Sequence, residues 1–302
     1  MIFVRCAGLF GVVGLFASVW MSSGCQTAPA KAEPAAEAAS PAASAGPIEL
    51  PAGTRVSLRL LATLEAGQAR EGAPVVLMVA EDVRGPDGRV AIRQGALARG
   101  EVVWSRSEGT LSGLLGEPAR LHVRLDKVLA VDGSELALAA DPADPDKPYE
   151  FTRANTRPAP QPARLESALQ DEEVRKLAEQ LAMAYAGERD TEFLRDESSR
   201  AALNRLAEKL SLDETRRLLG AGGQPANRIV GTLDLVRRGD IRALAAGDAA
   251  LGLAAVGELA NVAGQVGSRF SRMLRGRTIR AFAGTEVEAF LAESAQVRAT
   301  SR

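Results

Sequence analysis

Ala52-Gly53-Thr54-Arg55-Val56, near the beginning of the chain, returns as Ala283-Gly284-Thr285-Glu286-Val287 near its end. A looser form stands at Gln94-Gly95-Ala96-Leu97-Ala98. In each, a glycine turns the chain and a segment of alternating polarity follows, the pattern of a strand with one buried and one solvated face. The last copy lies far from the other two. It predicts a closing strand that rejoins the sheet begun by the first, with something else inserted between them.

Around these phrases, the stretch 48–153 reads as strands. Val56-Ser57-Leu58-Arg59-Leu60 alternates, and so does Leu121-His122-Val123-Arg124-Leu125. Pro74 to Val83 is nearly continuous apolar sequence ending in Glu81 and Asp82, as expected of a strand buried on both faces. Turn residues punctuate the stretch at Gly85-Pro86-Asp87-Gly88, Gly95, Gly109, Gly113, Gly116 and Asp132-Gly133. Short strands with frequent turns predict a sandwich or barrel.

The pattern then changes. A Pro-rich stretch with Pro158, Pro160 and Pro162 leads into Leu165, Leu169, Leu177, Leu181 and Tyr185 at helical spacing, with Ser167 and Gln170 as a capping box. A second helix is expected through Leu203, Leu206 and Leu210, and a third opened by Ser211 and Glu214 and ended by Gly220. Residues 241–270 are apolar, Ala-rich and broken by Gly247, Gly252, Gly257, Gly264 and Gly267. Small residues there permit close helix packing, in a protein core or in lipid. Asp248, Glu258, Asn261 and Gln265 argue for the core, since acids are rare inside membranes. The fold class expected is α+β: an antiparallel β-sandwich or barrel-like domain interrupted by a helical insertion, with closing strands at the C-terminus. The expected divisions are a signal peptide at 1–24, a tether at 25–47, the β-domain at 48–153, the insertion at 154–275 and the closing strands at 276–302.

The beginning of the chain reads as an address. Arg5 and the α-amino group are followed by an apolar run from Ala7 to Met21, interrupted by Gly8, Gly11, Gly14 and Ser18. The run has the length of a signal-peptide core rather than of a bilayer span. Ser22-Ser23-Gly24-Cys25 follows at once. It resembles the lipobox of bacterial lipoproteins, in which a small residue precedes a cysteine that is acylated before cleavage. Ser22 departs from the aliphatic residue usual at that position. The resemblance implies that Cys25 carries the lipid and becomes the first residue of the mature chain. Gln26, rather than Asp, implies sorting to the outer membrane under the enterobacterial rule. Residues 26–47 hold Ala, Pro, Ser, Glu and Thr with no large apolar side chain, so they cannot build a core. As a polyproline-like tether they would reach roughly 70 Å.

Composition excludes some classes. Thirty-seven Lys and Arg stand against 38 Asp and Glu, a formal net charge of -1, which gives no electrostatic case for nucleic acid. The two cysteines are Cys6 and Cys25, the first inside the segment expected to be removed, so no disulfide framework or Cys-rich metal site is expected.

The β part resembles the outer-membrane channel domain of TrbI-type proteins of conjugation and type IV secretion machines. Leu50-Pro51-Ala52-Gly53-Thr54, Ile92-Arg93-Gln94-Gly95-Ala96, Gly100-Glu101-Val102, Leu121 to Val131 with Asp132-Gly133, and Ala283-Gly284-Thr285-Glu286-Val287 carry the resemblance. It covers about 130 residues of the chain. The family also inserts helices into its β-domain. It differs in its anchor, an inner-membrane helix with a long stalk, so what the resemblance implies is the fold and an envelope setting.

No nucleophile–base set stands out, and the expectation is a protein that is not an enzyme. His122, the one histidine, falls on the strand face shared with Arg120 and Arg124, a surface position rather than a triad member. Asp141, Asp144 and Asp146 lack the spacing and glycine of a calcium loop and read as a solvated turn. Glu108 to Gly116 is Gly-rich without the Lys and Ser/Thr of a phosphate loop. Carboxylate pairs for glycoside hydrolysis lack aromatic company beyond Trp104, Tyr149, Tyr185 and a few Phe. The site expected is therefore Cys25 alone, with no cofactor and no metal. The partners expected are a lipid bilayer and an envelope protein or second copy. The setting expected is the outer membrane, with the folded part facing the periplasm. A secretion-channel component is the alternative, and an envelope hydrolase the third.

Overall fold

Alternating apolar side chains along the first long strand set the architecture. In the computed structural model, which describes residues 46–107, 119–152, 154–156, 158, 164–246, 249–273 and 278–298, Val56, Leu58 and Leu60 of β2 (Arg55–Leu60) are buried. Arg55 and Arg59, between them, reach across the outer face to Glu288 at 2.9 Å and Glu286 at 3.2 Å. The strand that receives them is β12 (Glu286–Leu291), antiparallel to β2 with Leu58 opposite Val287. The repeated phrase thus marks two strands that are neighbours in space, as its alternation and position implied.

The remaining strands are β1 (Ile48–Leu50), β3 (Leu64–Glu65), β4 (Pro74–Val79), β5 (Val83–Arg84), β6 (Val90–Ile92), β7 (Leu97–Arg106), β8 (Arg120–Leu129), β9 (Glu135–Ala139), β10 (Tyr149–Phe151), β11 (Arg280–Ala281) and β13 (Ala295–Val297). The main sheet runs β10-β8-β7-β4-β2-β12-β9, and β9 pairs back onto β8. Every pairing is antiparallel, so all strands but β10 form a closed ring. The result is a barrel rather than a sandwich. One edge of β8 is shared end to end: Leu121 to Val123 pair with β10, and Lys127 to Leu129 with β9. Apolar side chains fill the interior, Leu58, Leu77, Val102, Val123 and Val287 among them, as in other small barrels. Gly100 sits at a register shift of β7, where a side chain would meet the Arg124 carbonyl.

The helices run from 164 to 273: α1 (Arg164–Ala168), α2 (Glu172–Tyr185), α3 (Glu197–Leu210), α4 (Asp213–Gly220), α5 (Pro225–Arg238), α6 (Ile241–Ala245) and α7 (Ala249–Met273), with a short 3-10 turn at Glu192–Arg195. The molecule is therefore α+β, its helices inserted between β10 and β11. The expected apolar strand is β4. Val75, Leu77 and Val79 face the barrel interior, while Val76 and Met78 face outward. There they meet Val236, Ile241, Leu244 and Leu253 of the helices, together with Leu61 and Leu97.

Local details depart from the sequence reading. Ser167 and Gln170 do not form a capping box: the Ser167 hydroxyl donates to the Arg164 carbonyl, and Asp171 caps α2 by accepting from the amides of Glu173 and Val174. Ser211 does not open the third helix. It ends α3 in a left-handed conformation, φ 55°, and Leu212 is the first residue of the next entry turn. The long apolar segment breaks at residue 246 into α6 and α7. Gly247 and Asp248 lie outside the described residues.

α7 is long and apolar enough to cross a membrane by length and composition, with mean hydropathy 1.3 over Ala249–Arg269, and 67% of that stretch is buried in the protein. It is the core helix of the insertion, packed against α2, α4, α5 and α6. Its glycines serve that packing. Gly257 faces Met78 of the barrel, Gly264 faces the Ala283 carbonyl, and Gly267 faces the Phe282 ring. Tyr185 donates its hydroxyl to the Val256 carbonyl at 2.9 Å, and burial pushes that phenol's ionisation far up. An ion pair also ties a helix to the barrel, Arg242 of α6 to Glu135 of β9 at 3.1 Å, while Arg280 of β11 pairs with Glu65 of β3 and with Glu188 in the turn after α2.

Candidate functional site

The outer wall of β7, β8 and β10 carries an outward row of three chemically distinct side chains. Register places Trp104 opposite His122, and His122 opposite Glu150. The alternation that buries Leu121, Val123 and Leu125 sends His122 outward, on the face of Arg120 and Arg124. Trp104 is 44% exposed, against 36% for Met183, the two large hydrophobics left open among the described residues.

His122 is less open than a surface position implies. Its side chain is 22% exposed, and its Nε2 is shut off from solvent with no hydrogen-bond partner. Glu150 Oε1 stands 3.8 Å away. On the next row, Arg124 is held by Asp126 and Glu101, each at 3.0 Å, and the hydrogen bond to Asp126 keeps its guanidinium firmly charged. Arg106 and Arg120 face each other on the other side. Tyr149 and Phe151, flanking Glu150, make an edge-on ring contact with centroids 5.0 Å apart, and Phe151 is buried in the barrel core with Tyr149 packed against it.

The free edge of β10 is closed by a side chain. The Asn155 amide donates to the Glu150 carbonyl at 2.9 Å, and its oxygen accepts from the Thr152 amide at 2.6 Å. Asn155 does for these two residues what a further strand would do, leaving less edge to recruit another chain.

Of the three aspartates of the 141–147 turn, Asp141 is used internally, while Asp144 and Asp146 are exposed. Asp141 accepts from the Ala143 amide at 3.0 Å and from Lys147 at 2.9 Å, and the lysine contact, with that amide, holds its carboxyl below the ordinary range. Among the described residues no group of three or more His, Cys, Asp or Glu is placed to hold a metal ion. A third acid has a structural task. Glu258 of α7 accepts from the amide and hydroxyl of Thr215 at 3.1 and 3.0 Å, capping α4 from a distant helix. Partial burial pushes its carboxyl up, against the pull of those donors.

Cys25, the signal peptide and the tether up to residue 45 lie outside the described residues, as does the Gly-rich stretch Glu108 to Gly116. The described chain begins at Gly46, whose carbonyl accepts from Arg89 at 2.8 Å. It enters the barrel through β1, paired with β13 beside the β5–β6 hairpin. That is the end where β7 starts. Trp104, seven residues along β7 from Leu97, stands roughly 23 Å further along the wall.

The sequence placed His122 and its arginine neighbours on the correct face. It missed Glu150 as the partner across the strand pair, because Tyr149-Glu150-Phe151 is too short to show periodicity. Alternation of aromatic, acid and aromatic was the one signal available.

No protein-family model matches the chain, and no curated protein matches it in sequence. Among solved structures the chain is similar to ComB10 of the Com type IV secretion system of Helicobacter pylori, with 16% identity and a TM-score of 0.23. The likeness covers 30% of this chain and 43% of that one, so this chain spans under half the length of the protein it matches.

Proposed function

We propose that the chain is a lipid-anchored protein of the bacterial cell envelope whose barrel works through its outer surface, in binding or as a structural part, without catalysis. The observation that carries this reading is Cys25, set directly behind an apolar run of signal-peptide length and ahead of a core-free tether. The barrel supports the second half of it. A ring whose interior is packed with Leu and Val offers no lumen, so contact with a partner falls to the wall and the ends. Palmitate labelling of cells making the wild type and Cys25→Ser tests the anchor: label in the first and none in the second is expected. Equal labelling removes the reading. Purified protein that turns over peptidoglycan or ester substrates would sink the non-catalytic part.

A second reading, a component of an export assembly, is favoured by the barrel split by a helical insertion, the layout that the TrbI-type resemblance implies. Crosslinking in intact cells is expected to capture a neighbouring copy or an envelope protein. Monomer alone at every crosslinker length would count against it.

A further inference from the structure

We infer that Arg89 is the buckle of a strap, residues 46–50, which fastens the segment before the barrel to the barrel's end and keeps β1 seated when that segment is pulled. β1 is three residues long, lies outside the main sheet and, among the described strands, pairs with β13 alone. Its one further side-chain bond joins the Gln296 amide to the exposed Glu49 carboxylate at 3.5 Å. Yet Ile48 and Leu50 are each 1% exposed and belong to the barrel core, so losing β1 would open the core at that end.

Register shows why so short a strand needs help. Ile48 stands opposite Val297 in an antiparallel pair, so tension arriving from residue 46 meets the ladder at its end. Bonds that lie across the strands then give way one at a time. Arg89, in the turn of the β5–β6 hairpin, stands ahead of that end. Its Nη1 donates to the Gly46 carbonyl at 2.8 Å and its Nη2 to the Pro47 carbonyl at 3.4 Å. Its Nε donates to Asp87 Oδ2 at 2.6 Å, Nη2 lies 2.5 Å from the same oxygen, and Asp87 Oδ1 accepts from the Arg89 amide at 3.0 Å. The guanidinium is a rigid planar fork, so a carboxylate that fixes one side aims the other at two successive carbonyls. Gly85, at the base of the turn, lies so close to Ile48 that a side chain there would strike it. The hairpin itself is rooted: Val83, Ala91 and Ile92 are buried in the barrel core, and the Val131 amide donates to the Ala91 carbonyl at 3.0 Å. Tension at Gly46 therefore passes through Arg89 into the hairpin and the barrel before it reaches β1. With the lipid on Cys25, the reading proposed above, that tension is the pull of the membrane on the folded part.

The test uses the full chain carrying Cys25→Ser, so it reads the strap whether or not the anchor reading holds; palmitate labelling of the unsubstituted protein decides that reading separately. Amide exchange of residues 48–50 is followed by mass spectrometry beside that of β2 and β12. Arg89→Ala should speed exchange at 48–50 about three- to tenfold, the loss of hydrogen bonds from a charged donor at a partly exposed site, and leave β2 and β12 protected. Arg84→Ala is the control. Arg84 braces the same hairpin, donating to the Gly88 carbonyl at 3.1 Å and pairing with Asp82 at 3.3 Å, and among the described residues it has no bond to the strap. Residues 48–50 should then exchange as they do without that substitution. When the chain is stretched between tags at its two ends, Arg89→Ala should release β1 at a lower force than either the unsubstituted hairpin or Arg84→Ala. Unchanged exchange at 48–50 in Arg89→Ala overturns the strap, as does equal acceleration in Arg84→Ala. So does a general loss of protection that includes β2 and β12, or an equal release force in all three chains.

Discussion

Gly264 of α7 lies directly under the carbonyl of Ala283, in the turn that leads into β12, so closely that a methyl group on the glycine would collide with that oxygen. The opposed atom is backbone and cannot swing aside. Gly264→Ala should therefore destabilise the protein by about 1–3 kcal/mol, the usual cost of overpacking a well-filled contact. Gly231, mid-helix in α5 with nothing within 4 Å of a built side chain, is the matched contrast. Gly231→Ala should stabilise by about 0.5–1 kcal/mol through helix propensity. Urea unfolding midpoints of opposite sign are the check.

Glu258 makes the stability of the fold depend on pH. Burial raises its carboxyl above the ordinary range, so the folded chain takes up this proton more readily than the unfolded one. Stability from this group is then greatest in acid and declines as pH climbs through the carboxylate range towards the raised value. Glu258→Gln keeps an acceptor for Thr215 and loses the charge. Its stability relative to wild type should improve as pH rises from about 4 to 7. Parallel stability curves would count against this assignment.

Asn155→Ala opens the edge of β10. Three bonds are lost together, to the Glu150 carbonyl, to the Tyr149 hydroxyl and from the Thr152 amide. Exchange of the 149–152 amides should accelerate while the β2–β12 ladder keeps its protection, and global stability should fall by about 1 kcal/mol. A uniform loss of protection across the barrel would show instead that Asn155 supports the whole fold.

Much of the barrel was legible because its strands are long enough for period two to show: Val56 to Leu60 and Leu121 to Leu125 declare their inner faces outright. The β4 run was legible for the opposite reason, since Val75 to Val79 has no polar face at all. Helix boundaries were harder. Ser211 has the side chain of a cap but sits in a left-handed turn, and the group that satisfies the start of α4 is Glu258, 43 residues away in sequence. No local pattern can contain such a bond. The choice between lipid and core for 241–270 was open on composition, and tertiary contact decided it: Gly252, Gly257, Gly264 and Gly267 meet Thr232, Met78, Ala283 and Phe282 in turn. At the candidate site, one face of β8 could be read directly, whereas Glu150 came from a strand defined only by its pairing.

The antiparallel pairing of β2 with β12 has a consequence for how the molecule is made. Arg59 and Glu286 face each other across 227 positions of chain. A ribosome adding about 5–20 residues per second needs roughly 10–45 s to travel between them. For that interval the first long strand exists without its neighbour, and the ring cannot shut. Whatever carries the nascent polypeptide must keep that strand from mispairing until the last residues are delivered.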